Sequence, residues 1–341
     1  MDVSKLSQLF HNTVKKNHIP QAVFIIKSGH NQSSHEFIQG TNTDLNDLIN
    51  TASISKLYTA CLTYQLLEQG QLKLTDPIHL YLEPSTIKGL HTYKKIDYTE
   101  QIQVQDLLFQ TSGLPDIYEE GKTSLVKRLL AEDFYLTFEE KISLTRELSA
   151  KFEPGNSKKA HYADINFDLL TAILEQITGQ TYNQLLQERI CQPLQLKSTL
   201  APAKDDSHTP PFHYKGQVLN RPLFIAASLG NGGVVSTAPE LMTFLQAFWS
   251  GQLFDLSLIN IKLSHPLQLT MWPIHYGGGF MSIKVSSLFF KPSQILLGHS
   301  GSTGSFAFYC PDKDIYMVGD FNQANKPVLP VRFTMQAISK L

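Results

Sequence analysis

Ser53-Ile54-Ser55-Lys56-Leu57-Tyr58-Thr59-Ala60-Cys61-Leu62 is the stretch around which the rest of the chain organises itself. Ile54, Leu57, Tyr58, Cys61 and Leu62 keep a helical beat of about 3.6 residues, and Gly70 is a natural stop. A Ser and a Lys three apart on a helix share one face, so the ammonium can reach the hydroxyl and act on its proton. A Ser at a helix N-terminus also gains from the positive end of the dipole when it becomes a nucleophile. Ser-x-x-Lys recurs at Ser85 to Lys88 and at Ser124 to Lys127, where a capping Ser and a solvated Lys suffice. Only Ser53 opens a long, strongly apolar helix, whose surroundings would depress a lysine pKa.

Outward from this helix the pattern is mixed. Val3 to Asn17 has helical apolar spacing, Ala22 to Ile26 reads as a strand, and His35 to Ile38 as a weaker one. A helical stripe runs from Ile165 to Ile177 and ends at Gly179. Thr181 with Gln184 forms a capping box for the next helix, and Thr237 with Glu240 caps another over Leu241 to Trp249. Short apolar strands follow at Ile295 to Leu297, Ser305 to Tyr309 and Ile315 to Val318. The last two are joined by the turn Pro311-Asp312-Lys313-Asp314, and Pro327 to Leu341 closes as a helix. Strands near both termini and helices between them predict an α+β fold with one sheet built from both chain ends. The expected division is a sheet-containing unit of residues 1–50 and 230–341, a mainly helical unit of residues 51–229, and a ligand cleft between them.

The chain has 341 residues, 42% of them apolar and 17% charged, enough to bury a sizeable core. Lys plus Arg is 29 and Asp plus Glu is 30, so there is no basic excess for nucleic acid or an anionic membrane. No apolar run approaches the roughly 20 residues of a membrane span. Cys61, Cys191 and Cys310 are far apart and odd in number, and read as small interior residues rather than a disulfide set or metal site. The opening Met1-Asp2-Val3-Ser4-Lys5-Leu6 carries no signal-peptide core, which predicts a cytoplasmic protein, or a periplasmic or secreted one if a leader has been removed.

Two further stretches carry chemistry-bearing residues. Tyr162-Ala163-Asp164 precedes the stripe at Ile165. A phenol near a lysine ammonium is easier to ionise and can serve as general base. Asp164 either faces the same site or caps the helix. Gly298-His299-Ser300-Gly301-Ser302 ends an apolar strand, where small residues let a substrate pair along the strand edge. P-loop, G-x-S-x-G and zinc-binding patterns do not occur.

In order and spacing these motifs resemble the serine β-lactamase and penicillin-binding-protein family, in its class C β-lactamase, DD-carboxypeptidase and esterase branch. Leu107-Leu108-Phe109-Gln110-Thr111-Ser112-Gly113-Leu114-Pro115, Phe152-Glu153-Pro154-Gly155 and Gly232-Gly233-Val234-Val235-Ser236-Thr237 look like the same family. The resemblance runs from about Val23 to Gln323. It implies a β-lactamase/transpeptidase-like fold, with an antiparallel sheet flanked by terminal helices. It implies Ser53 as the acylated nucleophile, Lys56 as its proton partner and Tyr162 as base. Asp164, His299, Ser300 and Gly301 would bind substrate, and the backbone N–H groups of Ser53 and Ser302 would form the oxyanion hole. The reaction would be acyl transfer through an acyl-Ser53 intermediate, with neither metal nor organic cofactor.

Two departures bear on substrate. His299 stands where many β-lactamases have Lys, and an unperturbed His is mostly neutral at pH 7. Asp164 replaces the family's common Asn and, if it faces the site, keeps Lys56 protonated and repels anionic substrates. The expectation is therefore a carboxylesterase or D-peptidase acting on a small-molecule or peptide substrate. A β-lactamase is the alternative, and a non-catalytic protein binding penicillin or a peptidoglycan fragment is the rival from another class. Substrate choice rests on the loops from Tyr118 to Glu139 and from Leu253 to Trp272, and oligomeric state is left open.

Overall fold

The computed structural model of the chain describes residues 3–30, 32–121, 124–156, 158–206, 209–285 and 293–341. Met1 and Asp2 of the leader reading, and residues 122–123 of the first specificity loop, lie outside the described residues.

Helix α1 (Val3–Asn17) buries Leu6, Phe10 and Val14 on one face and carries Lys15 and Lys16 in its last turn, where they complement the helix dipole. Strands β1 (Ala22–Ser28) and β2 (Ser34–Gln39) follow as an antiparallel hairpin. The remaining strands of the main sheet come from the C-terminal part of the chain. They are β3 (His265–Pro266), β4 (Ile274–Gly277), β5 (Phe280–Val285), β6 (Gln294–Ser300), β7 (Ser305–Cys310) and β8 (Ile315–Asp320). The sheet runs β2-β1-β8-β7-β6-β5-β4-β3, antiparallel at every pairing. The two chain ends meet at β1–β8, where Ile25 lies opposite Val318.

Both faces of the sheet are covered. On one, Phe10 of α1 packs against Phe24 and Phe37, and Phe333 of the C-terminal helix Leu329–Ser339 meets Phe24 and Phe306 edge-on or tilted. On the other, Trp249 of the helix Ala238–Ser250 stacks on Tyr309 and meets Phe280. Double coverage explains why Ile315 to Asp320 is buried along its whole length rather than alternating.

Strands β4 and β5 have no counterpart in the sequence reading. Gly278 (φ 64°) and Gly279 (φ 87°) form the two-residue turn between them, a conformation that glycine adopts without cost. The expected caps are present: the Thr181 hydroxyl accepts from the Gln184 N–H, Thr237 accepts from Glu240, and Gly179 ends its helix in the left-handed region.

Three helices meet beside the sheet. Helix α2 (Ser55–Glu68) is buried continuously from Ser55 to Leu66 rather than along one stripe, as suits a helix surrounded by protein. Its polar side chains are bonded in place: Thr59 donates to the Gly230 carbonyl, and Gln65 to those of Arg189 and Leu253. Helix α3 (Ile165–Thr178) and helix α4 (Pro222–Gly232) pack against it, and α4 breaks at Leu229 (φ 36°, ψ −120°). Among the described residues, no helix is long and apolar enough to cross a membrane.

Candidate active site

From Ile49 to Leu66, Ser53 is the single residue that is not buried. It sits in a short 3-10 turn, Ala52–Ile54, ahead of α2 rather than on the α-helix itself. Ala52, immediately before it, holds a positive φ of 46°, a strained conformation for a residue with a Cβ. The surroundings hold that strain. Thr51 Oγ1 donates to the Val234 carbonyl (2.7 Å), and the Val234 N–H donates to Ser55 Oγ (3.0 Å). Ser305 Oγ donates to the Thr51 carbonyl (2.9 Å), and Thr303 Oγ1 to the Asn50 carbonyl (3.0 Å).

These last two bonds bring the end of β6 to Ser53. The turn after Ser300 is closed by the Gly301 N–H donating to Ser305 O (2.7 Å). A Cβ at Gly301 would fall 2.7 Å from Thr51 O and 3.0 Å from Ala52 Cβ, so only glycine lets the two segments meet this closely. Ser302, exposed in this turn, therefore stands beside the Ser53 segment.

Lys56 is wholly buried, and its Nζ has three acceptors: Ser53 Oγ at 3.3 Å, Asp164 Oδ1 at 2.7 Å and the Asn231 carbonyl at 2.5 Å. An ammonium has three N–H donors, so this set satisfies it completely. Asp164 stands at the first position before α3 but makes no side-chain cap; its carboxylate faces Lys56 instead. The Ser85/Lys88 pair is exposed and Lys127 points to solvent, so the other two Ser-x-x-Lys stretches assemble no such constellation.

The Lys56 Nζ lies 5.1 Å from the centre of the Tyr162 ring. The Tyr162 hydroxyl is buried and closes no hydrogen bond among the described residues, although Ser53 stands near enough to favour its ionised form. Burial and the Asp164 charge outweigh that help and push the phenol pKa well above its usual value. This is opposite to the direction expected of a phenol beside a lysine ammonium. Burial is the larger cause of the reversal and the Asp164 charge the second, while Asp164 also takes up the charge of Lys56.

His299 is wholly buried behind the site. Its Nδ1–H donates to the Ser300 carbonyl (2.8 Å) and its Nε2 accepts from the Tyr276 hydroxyl (3.4 Å). Burial and the nearby Lys56 charge lower its pKa to about 3, so the ring is neutral at physiological pH. The imidazole does not reach solvent, and its ring bond to the Ser300 carbonyl anchors the end of β6 beside the Ser53 segment. Ser300 Oγ is likewise turned inward, donating to the Met281 sulfur at 3.7 Å.

Several positioning residues were not legible in the sequence. Gln110, at φ 59°, accepts with its side-chain carbonyl from the Ala163 N–H (3.0 Å) and from Asn166 Nδ2, and its backbone carbonyl accepts from the His161 N–H (2.9 Å). Gln268 Oε1 accepts from the Tyr162 N–H (3.0 Å), so the turn carrying exposed Leu269 and Trp272 borders the site. Asp116 lies buried beside Asp164, and desolvation and that second charge raise its pKa well above the carboxylate range. The signal for Asn231 was present only as the Gly230-Asn231-Gly232-Gly233 break between helices.

The model of the beta-lactamase family matches residues 6–335. The D-alanyl-D-alanine-carboxypeptidase/endopeptidase AmpH of Escherichia coli is 29% identical over 215 residues, covering 62% of this chain and 52% of that protein. The chain thus spans about half the length of this curated relative. Among solved structures, a D-stereospecific amidohydrolase from Streptomyces sp. superposes with a TM-score of 0.78 at 23% identity, covering 95% of each chain. The D-amino acid amidase from Ochrobactrum anthropi SV3 superposes with a TM-score of 0.80 at 17% identity, covering 98% of this chain and all of that one. At these identities the likeness establishes the fold.

Proposed function

Because the chain belongs to the beta-lactamase family, we propose that it is a serine hydrolase that cleaves esters or amides through an acyl-Ser53 intermediate. The observation that carries this reading is the contact of Ser53 Oγ, the one half-buried hydroxyl in an otherwise buried segment, with a fully saturated lysine. Lys56 yields a proton to Asp164 Oδ1 and takes the one that Ser53 Oγ releases as it attacks the carbonyl carbon. Tyr162, kept protonated by burial and Asp164, hands its proton to the leaving oxygen or nitrogen. Water then attacks the acyl carbon and gives its proton to the Tyr162 phenolate, while Asp164 returns a proton through Lys56 to the departing Ser53 Oγ. The backbone N–H groups of Ser53 and Ser302 would hold the developing oxyanion, worth roughly 3–4 kcal/mol when one is lost. The division into a sheet unit (1–50 and 230–341) and a helical unit (51–229), with substrate entering between them, is part of the same reading.

The substrate is proposed to lack a negative charge at the reacting end. His299 is neutral and buried, and Asp164 takes up the Lys56 charge, so among the described residues a carboxylate such as that of penicillin meets no unpaired cation there. Exposed Leu269 and Trp272 on the turn after Gln268 favour an apolar group. Similarity to a carboxypeptidase that acts on D-alanyl-D-alanine makes a D-configured residue the first choice for the acyl side.

Steady-state rates on p-nitrophenyl butyrate, the D- and L-alanine p-nitroanilides and penicillin G test this reading. Turnover of the ester and of the D-anilide, abolished in Ser53→Ala, is expected. Penicillin as the best substrate, at kcat/KM of about 10⁷ M⁻¹s⁻¹, would make the protein a β-lactamase instead. No turnover of any of the four would contradict the hydrolase assignment.

A further inference from the structure

A second buried lysine–aspartate pair lies one helical turn from the first. Lys141, on the short helix Phe138–Arg146, donates to Asp168 Oδ1 at 2.6 Å, and both side chains are buried. Asp168 follows Asp164 by four residues, so the two carboxylates project from the same face of the start of α3. Both lysines also bind carbonyls of α4. Lys141 Nζ donates to Ala227 O (2.6 Å) and Lys56 Nζ to Asn231 O (2.5 Å). The break at Leu229 is what frees such oxygens from the helix ladder; Gly230 O, between them, accepts from Thr59 Oγ1 (2.8 Å). Finally, Asn231 Nδ2 donates to Asp168 Oδ1 (2.8 Å), linking the second pair to the residue that holds Lys56.

A buried ion pair is an expensive way to fill a core, since apolar residues of similar volume usually serve stability as well or better. What the pair does here is fix a direction. Lys56 has three N–H groups and three acceptors, so moving the Asn231 carbonyl re-aims the N–H that points at Ser53. Asn231 is clamped at both ends: its carbonyl by Lys56, its side chain by Asp168, which Lys141 holds in turn.

We infer that Lys141 and Asp168 are positioning residues that act through Asn231 to aim Lys56 at Ser53. This rests on Ser53 and Lys56 being the reacting pair proposed above. The two residues touch neither substrate nor reacting atoms, so their loss lowers kcat and leaves KM in place.

The test uses p-nitrophenyl butyrate turnover and the rate of labelling by a fluorophosphonate, on wild type, Asn231→Ala, Lys141→Met, Lys141→Arg and the Asn231→Ala/Lys141→Met double variant. Asn231→Ala is expected to lower kcat tenfold or more with KM within twofold. Lys141→Met should match it, and Lys141→Arg should recover much of the loss. The double variant should be no slower than Asn231→Ala, because both act along one route. Independent effects that multiply in the double variant, or a folded Asn231→Ala with wild-type kcat, would overturn the inference. If Lys141→Met does not fold, Asn231→Ala and Lys141→Arg decide by the same criteria. A wild type inert to both reagents would overturn the hydrolase reading itself, and this inference with it.

Discussion

Asp164 Oδ1 lies 2.7 Å from Lys56 Nζ, although Asp164 occupies the position from which an aspartate would normally cap the helix that follows. The cap bond is given up, and the carboxylate is spent on a lysine 108 residues away in the chain. The two roles predict different outcomes for Asp164→Asn. A cap would be retained by Asn, with kcat unchanged and stability within about 1 kcal/mol. As the proton sink for Lys56, its loss should lower kcat on p-nitrophenyl butyrate by about 10²-fold or more, a typical range for general acid–base groups. Steady-state kinetics with a thermal melt on the same sample distinguishes them.

Tyr162→Phe removes a buried hydroxyl that has no hydrogen-bond partner among the described residues. Losing an unsatisfied polar atom should leave stability unchanged or slightly raised. Loss of the proton donor to the leaving group should still cost about 10²–10⁴ in kcat. A melting temperature that holds while turnover collapses is the expected pair of results. A folded variant with wild-type turnover would remove Tyr162 from the mechanism.

Gln110→Ala should damage both stability and rate. It strips the acceptor from the Ala163 N–H and from Asn166 Nδ2, each left buried at a cost of about 1–3 kcal/mol. Ala163 follows Tyr162 directly, so the phenol loses its fixed position and kcat should fall with it. Chemical denaturation and ester turnover measure the two effects.

His299 carries a pH-dependent contribution whose sign follows from its burial. In the folded chain it stays neutral down to about pH 3. Unfolded, it takes up a proton below about pH 6.5. Between those values the unfolded state binds more protons, so stability falls as pH is lowered, by at most about 1.4 kcal/mol per unit. Asp320, whose carboxyl burial raises to about 7, contributes with the opposite sign over much of the same range. The difference between wild type and His299→Gln isolates the histidine. That difference should rise from pH 3.5 to 6.5 and be flat above pH 7, as read from urea unfolding across the range.

What could be read from the chain alone was what depends on neighbours in sequence. Thr181 with Gln184, Thr237 with Glu240 and the terminator Gly179 announce helix ends because capping is settled within one turn. Ser53 and Lys56 were found for the same reason. For Asp164 the sequence leaves both readings open, cap or partner of Lys56, because a carboxylate before a helix has an adequate local partner and the remote one leaves no mark in spacing. The spacing of Ile54, Leu57, Tyr58, Cys61 and Leu62 marks one face of helix α2, yet the helix is buried all round, with Thr59 and Gln65 hidden by bonds to distant carbonyls. The β4–β5 hairpin has no counterpart in the sequence reading, although Gly278-Gly279 between apolar runs is a recognised turn signal. Asn231 and Lys141 acquire meaning only through the break at Leu229, which the apolar run around it conceals.

The central claim is that Ser53 is an activated nucleophile, and the intact mass of the protein after incubation with a fluorophosphonate tests it most directly. Wild type should gain one phosphonyl group, and Ser53→Ala none. An adduct that survives in Ser53→Ala, or a wild type that gains nothing while folded, would contradict the account.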